Sequence, residues 1–180
     1  MNKVNNNSVN PVSSVRKNAG EVSHGGHGGG MSEGLPKGWC ISTISEIINK
    51  TGVFVDGDWI ESKDQDQNGK IRLLQLADIG DGSFIDKSSR FINEEVFSRL
   101  KCTEILPGDI LVARMPYPLG RACILPFIDY RAITVVDVCI IRPNKLYIDA
   151  TWLMSFINSN DFATKSNLYL QELQEKEFLV

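Results

Sequence analysis

Two periods of apolar and polar positions alternate along this chain, and the switches between them mark out its elements. After Trp39, Ile44, Ile47 and Ile48 fall on one helical stripe, Thr43 and Glu46 have capping-box spacing, and Gly52 is placed to end a helix predicted at about 43 to 50. The segment 56–70, DGDWIESKDQDQNGK, is polar and rich in turn formers, which predicts a long surface loop in which Trp59 folds back as a small local core. Ile71 to Ile79 reads as a strand and DIGDGS, 78–83, as a turn. Asn93, followed by Glu94 and Glu95, reads as the capped start of a short helix through Leu100.

Further on, Pro107 and Gly108 introduce a strand from Asp109 to Arg114 with Ile110 and Val112 on one face. PYPLG, 116–120, links it to Arg121–Leu125 as a hairpin with a wide tip. Ile133 to Ile141 is almost unbroken in β-branched and apolar residues, which predicts one central strand buried on both faces. Asp149 can cap an amphipathic helix carrying Trp152, Leu153, Phe156 and Ile157, whose apolar face is expected to close the core. Residues 1–34 are rich in Asn, Ser and Gly and are expected to be a disordered extension; 35–160 form the folded domain. Residues 161–180 make a tail that could begin a spacer helix. His24 and His27 have ligand spacing, but their glycine neighbours offer no rigid scaffold for a metal.

Composition narrows the function. With 180 residues, 42% hydrophobic and 23% charged, the chain fits one soluble domain plus tails. The net charge of −3 argues against nucleic-acid binding through bulk positive charge, so any such contact must be local. Between Arg114 and Lys145 the bases Arg114, Arg121, Arg131, Arg142 and Lys145 face Asp129 and Asp137, an excess of three positive charges that would support a modest basic patch. Cys40, Cys102, Cys123 and Cys139 are widely spaced and read as reduced and structural. No apolar run is long enough for a bilayer and no signal peptide is recognisable, which places the chain in the cytoplasm.

Catalytic patterns are missing. Met115-Pro116-Tyr117-Pro118 lacks the acidic or amide residue of an adenine methyltransferase loop, and no strand is followed by the glycine-rich turn that cradles S-adenosylmethionine. Asp58, Glu61 and Lys63 are too close in sequence for the usual strand-to-strand nuclease arrangement. Reading bases in a DNA groove calls instead for donors and acceptors held in fixed geometry: Arg to guanine, Asn or Gln to adenine. The candidates are Lys63, Gln65, Gln67, Asn68 and Lys70 in the long loop, Arg72 and Gln75 in the strand after it, and Arg114, Tyr117 and Arg121 around the hairpin tip. If Arg121 meets phosphate, its removal should weaken binding to every sequence; if it meets guanine, one base position should relax.

Five segments carry a resemblance that points the same way: LPKGW at 35–39, KIRLLQLADIGDGSFIDKSSRFI at 70–92, ILPGDILVAR at 105–114, PLGRACIL at 118–125 and ITVVDVCIIRP at 133–143. In this order and spacing they resemble the target recognition domain of the DNA-specificity subunit of type I restriction-modification systems. The resemblance implies an α+β fold with a mixed, mainly antiparallel sheet and flanking helices. It also implies double-stranded DNA recognition without intrinsic catalysis. The methyltransferase and restriction subunits would be the partners, and S-adenosylmethionine, ATP and Mg would reside on them, leaving this chain with no cofactor of its own. Complete members carry two such domains and spacer helices, whereas this sequence departs from the pattern after about Asp161. That leaves a half-subunit pairing as a homodimer, a fragment or a degenerate product. A competing expectation is a divergent interaction module that binds a methyltransferase subunit without reading DNA.

Overall fold

The computed structural model describes Ile48 and residues 52–115, 120–146 and 148–164. The strands are β1 (Val53–Asp56), β2 (Ile71–Leu74), β3 (Arg90–Ile92), β4 (Ile110–Ala113), β5 (Ala122–Ile124), β6 (Arg131–Thr134) and β7 (Val138–Arg142). The helices among the elements so bounded are α1 (Glu94–Leu100) and α2 (Ala150–Ile157). One sheet has the order β1-β7-β4-β5 and is antiparallel throughout; the other, β3-β2-β6, is mixed, because β6 runs parallel to β2. The architecture is α+β, as expected, but with two sheets in place of one.

Alternation along the strands stacks these sheets between helices. Ile71, Leu73 and Ile133 turn one face of the mixed sheet onto Val96 of α1, while Leu74 and Ala132 turn the other toward Leu111, Cys123, Val138 and Ile140 of the antiparallel sheet. The outer face of that second sheet carries Ile110, Ala122, Cys139 and Ile141 beneath Leu153 and Ile157 of α2 and beneath Ile48. Ile110 and Val112 do share a face, the one covered by α2.

Several expected elements change shape. The strand foreseen from Ile71 to Ile79 ends at Leu74, because the buried carboxylate of Asp78 accepts the Gln75 N–H at 2.6 Å and curls Leu76–Asp78 into a single 3-10 turn. The run from Ile133 to Ile141 is two strands in different sheets, broken by a tight turn in which Val138 N–H donates to Val135 C=O. Each half is apolar because each lies between two covered layers; hydrophobicity records that burial and says nothing of chain direction. Strands β1 and β3 were not expected. On α2, Leu153 and Ile157 enter the core, whereas Trp152 and Phe156 are 53% and 41% exposed and stack 5.6 Å apart on the helix flank. Residues one position earlier sit about 100° round the helix, so one apolar stripe divides between core and surface. Cys102, Cys123 and Cys139 are free, buried thiols. The expected helix at 43–50, apart from the helical and buried Ile48, the N-terminal extension, Cys40, Tyr117 and the tail from 165 lie outside the described residues.

Candidate nucleic-acid interface

The polar segment between β1 and β2 is a folded structure, although its sequence reads as an open loop. Asp58 N–H donates to Thr134 C=O at 2.8 Å, and the Asp58 carboxylate accepts the Thr103 N–H at 3.0 Å. Burial pushes the Asp58 carboxyl above the ordinary value of 3.8, against the lowering effect of that hydrogen bond. Ile60 packs toward the core under α1, and its neighbour Trp59 is turned outward, 71% exposed. Trp59 therefore does not fold back: anchored backbone on one side and half-buried Ile60, packed against the core, on the other leave its ring in solvent.

From Ser62 the chain makes a 3-10 turn, and the Asp64 carboxylate is held by the Arg99 guanidinium of α1 at 2.5 Å. Asp66 N–H donates to Phe91 C=O of β3, and Gly69 N–H closes a four-residue turn onto Asp66 C=O, both at 2.9 Å. The Asp66 carboxylate accepts the Asn68 N–H at 2.9 Å and the Asn93 side-chain amide at 3.2 Å. Gly69 lies so close to β3 that a Cβ there would meet Ile92 C=O at 2.3 Å. The turn thus presents Gln67 and Asn68 to solvent, with Lys63 and Lys70 exposed on either side and Gln65 half-buried. Lys63 pairs with Glu61 at 2.7 Å, and that hydrogen bond raises its pKa.

The other candidates divide. Arg72 spans the mixed sheet to Ser88 C=O, pairs with Asp86 at 2.8 Å and lies over the Tyr130 ring, 5.0 Å from its centroid. The Gln75 side chain caps the 3-10 turn that follows it. Arg121 donates to Ile79 C=O at 2.8 Å and Leu76 C=O at 3.1 Å, so its guanidinium holds the 75–79 bend onto β5. Arg114 is exposed and meets Asp56 at 2.5 Å. Tyr117 lies outside the described residues. Lys63, Gln65, Gln67, Asn68 and Lys70 are therefore brought together before the start of β2. Arg114 lies toward its other end, where Arg114 N–H donates to Asp137 C=O and Val135 N–H donates to Leu74 C=O. The four residues of β2, about 13 Å of strand, lie between the two groups.

The basic patch expected between Arg114 and Lys145 is neutralised by acids distant in sequence. Arg131 bridges Glu94 at 2.5 Å and Glu104 at 2.8 Å, and Arg142 pairs with buried Asp109 at 2.7 Å. The charge count missed this because Asp56, Glu94, Glu104 and Asp109 lie outside the stretch counted. It also missed Asp66 and Asn93 as organisers of the turn, although the Asp66-Gln67-Asn68-Gly69 spelling, with Asp first and Gly fourth, is a turn signal.

Comparison with known proteins agrees with this architecture. No family profile and no curated protein matches the sequence. Among solved structures, the HsdS subunit from Thermoanaerobacter tengcongensis superposes with a TM-score of 0.52 at 17% identity, over 69% of this chain and 28% of that one. The fold resembles that of HsdS. A chain from a structure solved to explain complex assembly and conformational transition of the type I R-M system also has a TM-score of 0.52, at 15% identity, over 79% of this chain and 40% of its own. The protein thus spans well under half the length of these two relatives, and its fold is similar to part of a type I restriction-modification specificity subunit. Among the described residues no helix is long and apolar enough to cross a membrane.

Proposed function

We propose that this chain reads double-stranded DNA as a specificity subunit, or half-subunit, of a type I restriction-modification complex, through residues of its 35–160 domain. The observation that carries this is the pinned Gln67–Asn68 turn, flanked by Lys63 and Lys70, on a fold similar to HsdS. Side-chain amides carried on a pinned turn can discriminate base edges, and flanking lysines can supply phosphate contacts that fix register. Arg114, with Tyr117, forms the second contact group. Gln65 belongs to the first contact group, and Arg72, Gln75 and Arg121 act nearer the scaffold, holding the reading elements in place. The chemistry would belong to partners: a methyltransferase subunit carrying S-adenosylmethionine and a restriction subunit using ATP and Mg, assembled with this chain in the cytoplasm.

One observation favours a second role, docking on a methyltransferase subunit without reading DNA: Arg114, Arg131 and Arg142 are all neutralised by carboxylates. Salt separates the two, since phosphate contacts weaken steeply with ionic strength. The test is retention of randomised duplex DNA by the full chain, alone and with a methyltransferase subunit, followed by sequencing. An enriched half-site lost with rising salt supports DNA reading; retention of the subunit with no enriched sequence supports docking alone.

A further inference from the structure

Asn93 does two jobs with one amide. Its Oδ1 accepts the Val96 N–H at 3.0 Å and caps α1, which obliges Nδ2 to face the other way, where it donates to Asp66 at 3.2 Å. The other carboxylate oxygen of Asp66 accepts the Asn68 N–H. The start of α1 and the tip of the turn are therefore tied through a single amide–carboxylate contact. The tip carries two side-chain amides, each with one donor and one acceptor group, the pairing that matches adenine N6 and N7; it carries no guanidinium to match the two acceptors of guanine.

We propose that Asp66 and Asn93 are a positioning pair that holds Gln67 and Asn68 in the geometry that reads A·T base pairs. This rests on the DNA-reading function proposed above and assigns its base class. Without that pair the backbone carrying both amides would lose its fixed position, so phosphate-driven affinity would survive while base choice faded.

The test is selection from randomised duplex DNA by the full chain, with anisotropy titrations on the selected duplex and on copies carrying A·T to G·C changes. Gln67→Ala and Asn68→Ala are expected to relax preference at A·T positions about tenfold while leaving binding to unrelated DNA within about twofold. Asn93→Asp keeps an acceptor for the Val96 N–H but sets a carboxylate against Asp66, and is expected to lose preference at the same positions. The double variant D66N/N93D exchanges amide and carboxylate, restores the hydrogen bond with reversed polarity, and is expected to recover the preference, which a general loss of stability could not produce. Thermal melting of each variant accompanies the titrations. The proposal is overturned if the wild-type chain selects a sequence that Q67A and N68A leave intact, or if N93D selects as wild type does. A double variant that melts like wild type yet stays unselective overturns it too. A wild-type chain with no sequence preference would instead reject DNA reading itself.

Discussion

At the scale of single residues, burial sets the chemistry of the thiols and one phenol. Cys102, Cys123 and Cys139 are each pushed up from 9.0 to about 11, chiefly by burial, and Tyr130 from 10.0 to about 12 by burial and its hydrogen bond to Asp86. A group whose pKa is higher in the fold than in the open chain holds its proton more tightly when folded. Its contribution is complete below the open-chain value and fades as pH rises through the folded one. The urea midpoint is therefore expected to hold to pH near 9.0 and fall as pH climbs toward about 11. At pH 8 these three thiols should resist iodoacetamide until the protein is unfolded, because the thiolate is the reacting species; mass spectrometry of the native protein checks this. Arg121 has its own outcome: its two carbonyl acceptors bind the 75–79 bend to β5. Arg121→Ala should lower unfolding free energy by about 1–3 kcal/mol, measured by urea denaturation.

At the scale of elements, edges and caps rest on few groups. Strand β5 closes one side of the antiparallel sheet, and the Asn158 amide occupies its outer edge like a short partner strand. Its Oδ1 accepts the Ala122 N–H at 2.7 Å and its Nδ2 donates to Ala122 C=O at 2.9 Å. Asn158→Ala strips the Ala122 N–H of its acceptor and opens a pairing edge. The expected result is a loss of about 1–3 kcal/mol together with concentration-dependent aggregation seen by light scattering. Glycine at 69 has a different reason, since any side chain there would meet β3. Gly69→Ala is expected to displace the turn, shifting the Gln67 and Asn68 amide resonances in an NMR spectrum while those of the β7 core stay in place.

At the scale of the whole molecule, the proposed DNA contact would have to draw on local cations, because the chain carries a net charge of −3. If Lys63, Lys70 and Arg114 make the phosphate contacts, the logarithm of affinity should fall against the logarithm of salt with a slope of about −3; a slope near zero would point to docking alone. Much of this molecule could be read along the chain. The Asn93 and Asp149 caps and the β4–β5 strands were legible because each depends on neighbours within about four residues or on a repeat of period two or near 3.6. The pairing of Arg131 with Glu94 and Glu104, the division of 133–141 between two sheets, and the exposure of Trp59 were not. Each depends on partners tens of residues away, which apolar content and local charge counts do not record. Which segments are apolar, capped or turn-forming follows from residue order, since those preferences are local free energies. Which cations are ion-paired and how the polar 62–69 segment folds come instead from long-range packing, which brings Asp66 to Asn93 and Asp64 to Arg99.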